Sequence, residues 1–233
     1  MPVGVLVDCT AIVFGGLIGA CGHNRIPERI KVTLPVIFAT CALALGITLI
    51  VKVINIEPVV LALILGTAVG ERLGIEDYLN TISMRLQRRL QSGATRLDEK
   101  AVEDFVTLLV LFSANAGCII GALYEGMTGD TTLLVIKSIL DFFTAMIFAT
   151  TAGYLIVLLS IPTLVVGVVF FSLASIILPH ISEVMIADFV GGGGIITLLV
   201  GIRMMGLKRV PVANTIPVIP LLMPLSYLWT LVF

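Results

Sequence analysis

The chain has 233 residues, of which 58% are hydrophobic and only 12% are charged, and its mean hydropathy is +1.14. A soluble globule needs more polar surface than this composition supplies, so the sequence predicts an integral membrane protein. The formal net charge is −1, and no basic tail or basic-aromatic stripe is present, so nucleic-acid binding is not expected.

Eight apolar stretches follow one another along the chain, and most approach the roughly 20 residues that a helix needs to cross a bilayer. We therefore expect an all-α, polytopic transmembrane helical bundle that forms a single domain over residues 1–233. The predicted spans lie at about 3–21, 34–53, 57–71, 104–124, 132–158, 162–179, 187–204 and 211–231.

The basic residues indicate how these spans are oriented. Lys and Arg concentrate in the predicted loops at 25–31, 72–100 and 203–209, whereas the loops at 125–130 and 180–186 contain no Lys or Arg. Cytoplasmic loops of membrane proteins are enriched in Lys and Arg, so both termini are predicted to lie outside the cytoplasm.

One cytoplasmic segment, at about 74–100, has the pattern of an amphipathic helix. Ile75, Leu79, Ile82 and Leu86 recur at spacings of three and four residues, and arginines occupy other faces. Such a helix fits a position on anionic headgroups, and docking of a partner protein is the alternative.

Short matches suggest an internal repeat. The string ITLIV at 47–51 matches ITLLV at 196–200, and PVV at 58–60 resembles PVA at 211–213. These matches pair spans 1–3 with spans 6–8, and the offset of five spans gives the two units opposite orientations. An inverted repeat of this kind is usual in secondary transporters. A rival match, of 10–19 with 144–153, would instead pair spans 1 and 5 in parallel.

Polar groups within the spans mark the candidate site, because ionisable groups in lipid cost free energy unless they are paired or hydrated. Spans 4 and 5 carry Ser113, Asn115, Lys137, Asp141 and Thr144. Asn115 and Asp141 each lie about ten residues from the predicted outer turn, so both are expected roughly 15 Å deep, near the midplane.

Two interpretations of Asp141 are open. In the first, Lys137 extends outward, and Asp141 joins Asn115, Ser113 and Thr144 as an oxygen ligand of a hard cation such as Na⁺. In the second, Lys137 and Asp141 only neutralise each other as an i,i+4 ion pair.

Three further features complete the candidate ion- or substrate-binding set. Asp8 in span 1 is either a helix-end carboxylate or a residue of the pathway. Asn214 lies among prolines that free backbone carbonyls. Four consecutive glycines in span 7 permit close packing, and they also favour a discontinuous helix that offers backbone groups to an ion. These glycines are Gly191, Gly192, Gly193 and Gly194.

Small-residue pairs recur in other spans as well, at Gly15/Gly19, Gly66/Gly70 and Gly117/Gly121. Helix packing is the default role of such pairs. They are also compatible with a homodimer.

Three strings together resemble the DUF554 family of prokaryotic membrane proteins: LGTAVGERLGIED, IIGALYEGMTGDTTLLVIKSILD and GGGGIITLLVGIRMMGLKRVPVANTIP. The resemblance implies a polytopic inner-membrane protein, with a sodium channel or pump as its suggested function. The family usually carries a Cys-x-Gly-Pro-Met-like string in span 4, where this chain has SANAG. That departure weakens the transfer of any shared ligand to 113–117.

The first functional hypothesis is therefore a cation channel or ion-coupled transporter, with Na⁺ as the candidate ion and no other cofactor. The alternative is a membrane-embedded scaffold or sensor that engages a partner through the amphipathic helix. An enzyme is not expected, because the sequence lacks HExxH, paired GxGD-like aspartates and a serine with a plausible histidine base.

Overall fold

The computed structural model describes residues 1–22, 27–90, 99–113, 116–177, 179 and 181–232, and over these residues the chain is helical and contains no strand. Among the described residues, 3₁₀ segments lie at Gly153–Leu159 and Val212–Thr215. The α-helices of the described residues are α1 (Val3–Gly22), α2 (Glu28–Ile50), α3 (Ile56–Leu73), α4 (Ile75–Leu90), α5 (Glu99–Ser113), α6 (Ala116–Thr128), α7 (Thr132–Ala152), α8 (Ser160–Ile177), α9 (Glu183–Met204) and α10 (Val218–Val232).

Six helical stretches of the described chain are long and apolar enough to cross a membrane, or seven when a bent pair is counted as one span. The bent pair joins α3 to the first part of α4 at an angle of 50°. The prediction of an all-α, polytopic membrane bundle is confirmed. The count of eight crossings stays a prediction.

The longest apolar stretch, Thr132–Ile176, reverses direction along its 45 residues. Leu134 in α7 and Gly167 in α8 both lie against the first turn of α1, whereas Val157, in the connecting 3₁₀ segment, lies against Gly16. Gly16 is roughly three turns beyond that first turn. α7 and α8 are therefore an antiparallel hairpin, with α7 parallel to α1.

The helices pack in two units. α1, α6, α7 and α8 pack mainly against one another, α2, α3, α9 and α10 form the second unit, and α5 contacts both. α2 and α9 are antiparallel, since Gly46 faces Gly194 and Leu43 faces Gly201. α3 and α10 are also antiparallel. An inverted repeat predicts antiparallel contacts between such paired spans, and the repeat itself stays a prediction.

The amphipathic helix α4 packs onto the protein through its described residues. Ile75 and Leu79 contact the main buried core, and Glu76 and Ser83 are buried. The apolar face of this part of α4 thus lies against the bundle, and its position relative to the headgroups stays a prediction.

The glycine pairs serve packing within the chain. A Cβ on Gly19 would lie 1.9 Å from the carbonyl oxygen of Met146, and one on Gly70 would lie 1.9 Å from that of Asn214. These pairs are used in contacts of α1 with α7 and of α3 with the 3₁₀ segment before α10. They therefore give no separate argument for a homodimer.

The four glycines of span 7 do not break the helix, so the prediction of a discontinuous helix there is wrong. α9 runs without interruption from Glu183 to Met204, and Gly191–Gly194 are buried. The physical reason is contact on two sides: Gly194 faces α2 and Gly191 faces Val53, just after α2 ends, while Gly192 faces Leu222 in α10. Close packing of the backbone offsets the roughly 1 kcal/mol that each glycine costs a helix relative to alanine.

Two alanine substitutions in this stretch are expected to differ in how much they lower the free energy of unfolding. At Gly194 a Cβ would lie 2.9 Å from the carbonyl oxygen of Gly46 and 3.0 Å from the amide nitrogen of Ile50, so backbone must move. Gly194→Ala should destabilise by about 1–3 kcal/mol.

Gly192→Ala is the matched control, because its Cβ would meet mainly the methyl groups of Leu222, which can rotate away. We expect it to be close to neutral, since the helix propensity of alanine offsets the repacking. Unfolding of both variants by SDS in mixed micelles measures the difference, and equal losses of stability would contradict this account.

Candidate functional site

Three ionisable side chains meet where α1 and α7 run side by side. The ammonium Nζ of Lys137 donates to Asp8 Oδ2 at 2.9 Å and also to Asp141 Oδ2. The side chains of Lys137, Asp8 and Asp141 are 11%, 1% and 9% exposed, respectively. We call this group the Asp8–Lys137–Asp141 cluster.

The geometry of the cluster follows from two kinds of spacing. Lys137 and Asp141 are four residues apart, so they share one face of α7. Asp8 reaches them because α1 lies unusually close to α7, where a Cβ on Gly15 would be 2.3 Å from the carbonyl oxygen of Phe142. The glycines of α1 therefore help to assemble the site.

The cluster has one more carboxylate than ammonium groups, so its net charge is −1 when all three groups are ionised. Asp8 Oδ1 is buried and has no hydrogen-bond partner among the described residues. The ring of Phe112, at the end of α5, lies 5.9 Å from Lys137 Nζ. One further positive charge would neutralise the cluster.

A cavity of about 500 Å³ lies beside the cluster, between α7, α2, α9, α5 and α6. Lys137, Asp141 and Thr144 reach it from α7, and Thr197 reaches it from α9. Most of its other lining side chains are apolar, among them Leu45 on α2. We call this cavity the α2–α7 groove.

Some of the predicted site residues lie close together in the structure. Asp8 and Asp141 lie together, and Thr144 lines the same groove as Asp141. The Ser113 hydroxyl donates to the carbonyl of Leu109 in its own helix. Asn115 lies outside the described residues.

The expectation that Lys137 extends outward is wrong. Its ammonium is directed to two carboxylates within the bundle, because burying an unpaired carboxylate costs more than ordering a long side chain. The alternative i,i+4 pair is present, but it is incomplete as a description, since Asp8 is the third member.

Asn214 has a position remote from this cluster. Its Oδ1 accepts from the backbone N–H of Glu76, at 2.8 Å, near the start of α4. Glu76 in turn pairs with Arg203 and accepts from the backbone N–H of Ala213 at 2.8 Å. This network joins the end of α9 and the start of α4 to the 3₁₀ segment Val212–Thr215. A second cavity, of about 830 Å³, lies beside it.

Sequence reasoning missed the roles of Glu76, which lies in the predicted amphipathic helix, and of Arg203, which was counted only among the basic residues of a predicted loop. They are 127 residues apart, so no local spacing relates them. The sequence did carry a signal in its spacing. Glu76 lies three residues before Leu79 and seven before Ser83, so it shares the face of α4 that is buried.

Two other buried carboxylates hold the starts of helices. Asp188 Oδ1 accepts from the backbone N–H groups of Ile54 and Asn55, just before α3, and its Oδ2 accepts from the Ser226 hydroxyl. Glu125 accepts from Gly4 and Val5 near the start of α1. The first turn of a helix leaves N–H groups without partners, and Glu125 satisfies two of them in α1, while Asp188 binds the two residues that lead into α3.

The apolar helices, their buried charged cluster and the glycine-mediated contacts define a multi-pass helical membrane protein. The family model described as "Protein of unknown function (DUF554)" matches residues 3–227. The chain therefore belongs to the DUF554 family, which confirms the resemblance noted in its sequence.

Two relatives cover almost the whole chain. The Escherichia coli (strain K12) protein described as "Uncharacterized protein YqgA" is 40% identical over 231 residues, which is 99% of this chain and 98% of that protein. The Bacillus subtilis (strain 168) protein described as "Uncharacterized membrane protein YdfK" is 23% identical over 214 residues, 92% of this chain and 91% of that protein. No solved structure matches the chain.

Proposed function

We propose that this protein is a cation-linked transporter of the prokaryotic inner membrane, and that the Asp8–Lys137–Asp141 cluster is its ion site. The observation that carries the proposal is the excess of one buried carboxylate over the ammonium of Lys137. A buried charge that no partner neutralises is costly, so the cluster favours one additional monovalent cation. Na⁺ is the candidate, since oxygen ligands suit hard cations.

The architecture supports a transport role. The α2–α7 groove lies where the two packing units meet, and it exposes Asp141 and Thr144 to a space that a solute or an ion can enter. Transporters commonly bind their substrates between two such units and move one against the other.

The positions of basic and acidic residues at the two ends of the bundle support one orientation of the protein in the membrane. Arg203, Lys208 and Arg209 lie near the end of α9, next to the start of α4, whereas Glu125 and Asp130 lie at the opposite end of the bundle. With the basic end in the cytoplasm, both termini face outward.

Two asparagine substitutions test the ion site. Asp8→Asn and Asp141→Asn each leave one carboxylate with one ammonium, so the cluster becomes neutral and should no longer require a cation. We expect the wild-type protein to gain thermal stability in detergent when choline is replaced by Na⁺ at constant ionic strength. Both variants should remain folded and lose that gain.

Asp77→Asn serves as the control, because Asp77 is exposed in the first turn of α4 and should leave the Na⁺ response unchanged. Flux of ²²Na⁺ into proteoliposomes should fall with the two cluster variants and not with the control. A variant that melts lower yet keeps its full Na⁺-dependent gain would refute the ion site. Absence of flux in the wild type would favour the alternative of a scaffold or sensor.

A further inference from the structure

The α2–α7 groove is much larger than a dehydrated Na⁺ ion requires. Its volume of about 500 Å³ falls in the range of roughly 300–1,000 Å³ that is usual for sites of small organic molecules. Apolar side chains from α2 and α7, including Phe38, Leu45, Leu49, Ile136 and Leu140, form most of its wall. Such a wall suits a hydrocarbon body.

The polar groups deep in the groove are mainly hydrogen-bond acceptors. The Thr144 hydroxyl donates to the carbonyl of Leu140, and the Thr197 hydroxyl donates to the carbonyl of Gly193, both at 2.8 Å. Each hydroxyl has thus used its hydrogen within its own helix and presents lone pairs. With the Asp141 carboxylate, these oxygens match a ligand head that carries several N–H donors.

The charges lead to the same ligand class. The cluster reaches neutrality with one more monovalent cation, and the ammonium of Lys137 already donates to both carboxylates. Lys52, the other cation that lines the groove among the described residues, is exposed where α2 ends. A carboxylate ligand would meet Asp141 as a like charge.

We infer that the α2–α7 groove binds a lipophilic primary ammonium compound, with its head at Asp141 and its hydrocarbon body along α2. The inference rests on the proposed function, because it assigns the substrate of the same site. The ammonium and Na⁺ neutralise the same excess carboxylate, so they should compete, and transport would then exchange one for the other.

Three probes of equal chain length test the head group. In detergent without Na⁺, n-hexylammonium should raise the melting temperature of the wild type in a saturable way, whereas n-hexanol and n-hexanoate should not. Na⁺ should weaken the hexylammonium effect, and Asp141→Asn should abolish it. Equal effects of all three probes would overturn the inference, since the groove would then take hydrocarbon without regard to charge.

A pair of tryptophan variants tests the position of the hydrocarbon body. Leu45 and Leu61 are each 42% exposed, but only Leu45 lines the groove. Leu45→Trp should weaken hexylammonium binding by roughly tenfold or more and leave the Na⁺ response intact, because it fills the groove away from the cluster. Leu61→Trp should change neither. Unaltered amine binding by Leu45→Trp would refute the assignment.

The two proposals fail in different ways. A Na⁺ response without a hexylammonium response would overturn the amine assignment and leave the ion site standing. A hexylammonium response that depends on Asp141, without any Na⁺ response, would refute Na⁺ linkage and support the amine site.

Discussion

Replacing Lys137 with methionine is expected to lower the free energy of unfolding by about 3–5 kcal/mol, the largest effect of any single substitution in the cluster. Methionine keeps most of the side-chain length but removes the ammonium that two buried carboxylates share. Asp8 and Asp141 would then repel each other in an environment with little water. Unfolding by SDS in mixed micelles measures the loss.

A triple variant shows whether charge is the cause. Asp8→Asn/Lys137→Met/Asp141→Asn removes all three charges, so it should recover most of the stability that Lys137→Met loses. Lys208→Met is the control, because Lys208 is exposed and its replacement should change stability by about 0.5 kcal/mol or less. A triple variant as unstable as the single one would mean that shape, and not charge, holds α1 to α7.

Asp188→Ala is expected to cost about 2–4 kcal/mol. The substitution leaves three donors without their acceptor: the N–H groups of Ile54 and Asn55 and the hydroxyl of Ser226, at 3.0, 2.8 and 2.6 Å from the carboxylate. The two N–H groups are only partly buried, so water can recover some of the loss there. The same SDS titration measures the effect.

Two further variants separate hydrogen bonding from charge. Asp188→Asn keeps one carbonyl oxygen for the N–H groups, so it should lose less stability than Asp188→Ala. Glu183→Ala removes an exposed carboxylate five residues earlier and should be close to neutral. If Asp188→Ala proved as mild as Glu183→Ala, the carboxylate would not be needed to hold the start of α3.

The sequence predicted much of the architecture, because hydropathy is a local property that a chain segment carries by itself. It also singled out Asp8 and Asp141 one by one, since each is an unusual residue within an apolar stretch. It did not predict that they meet. Their contact depends on the parallel fit of α1 against α7 through Gly15 and Gly19, and no local pattern records that fit.

For the glycine stretch of α9, the sequence led to a wrong prediction. Helix propensity predicts that Gly191–Gly194 weaken the helix, and that penalty is real for an exposed segment. Burial between α2 and α10 outweighs it here. Asn214 was identified from the sequence as a polar residue within a span. Its partner Glu76 was not, because the segment that carries Glu76 was assigned to the cytoplasmic surface.

The distance along the chain between Asp8 and Lys137 has a consequence for biogenesis. The two residues are 129 positions apart, so synthesis at 5–20 residues per second delivers Lys137 roughly 6–26 s after Asp8. During that interval Asp8 lacks the ammonium of Lys137. The N–H groups of Gly4 and Val5 likewise lack their acceptor until Glu125 has been made. α1 therefore reaches its final contacts only after α7 has been made, and until then it depends on the insertion machinery or the headgroup region.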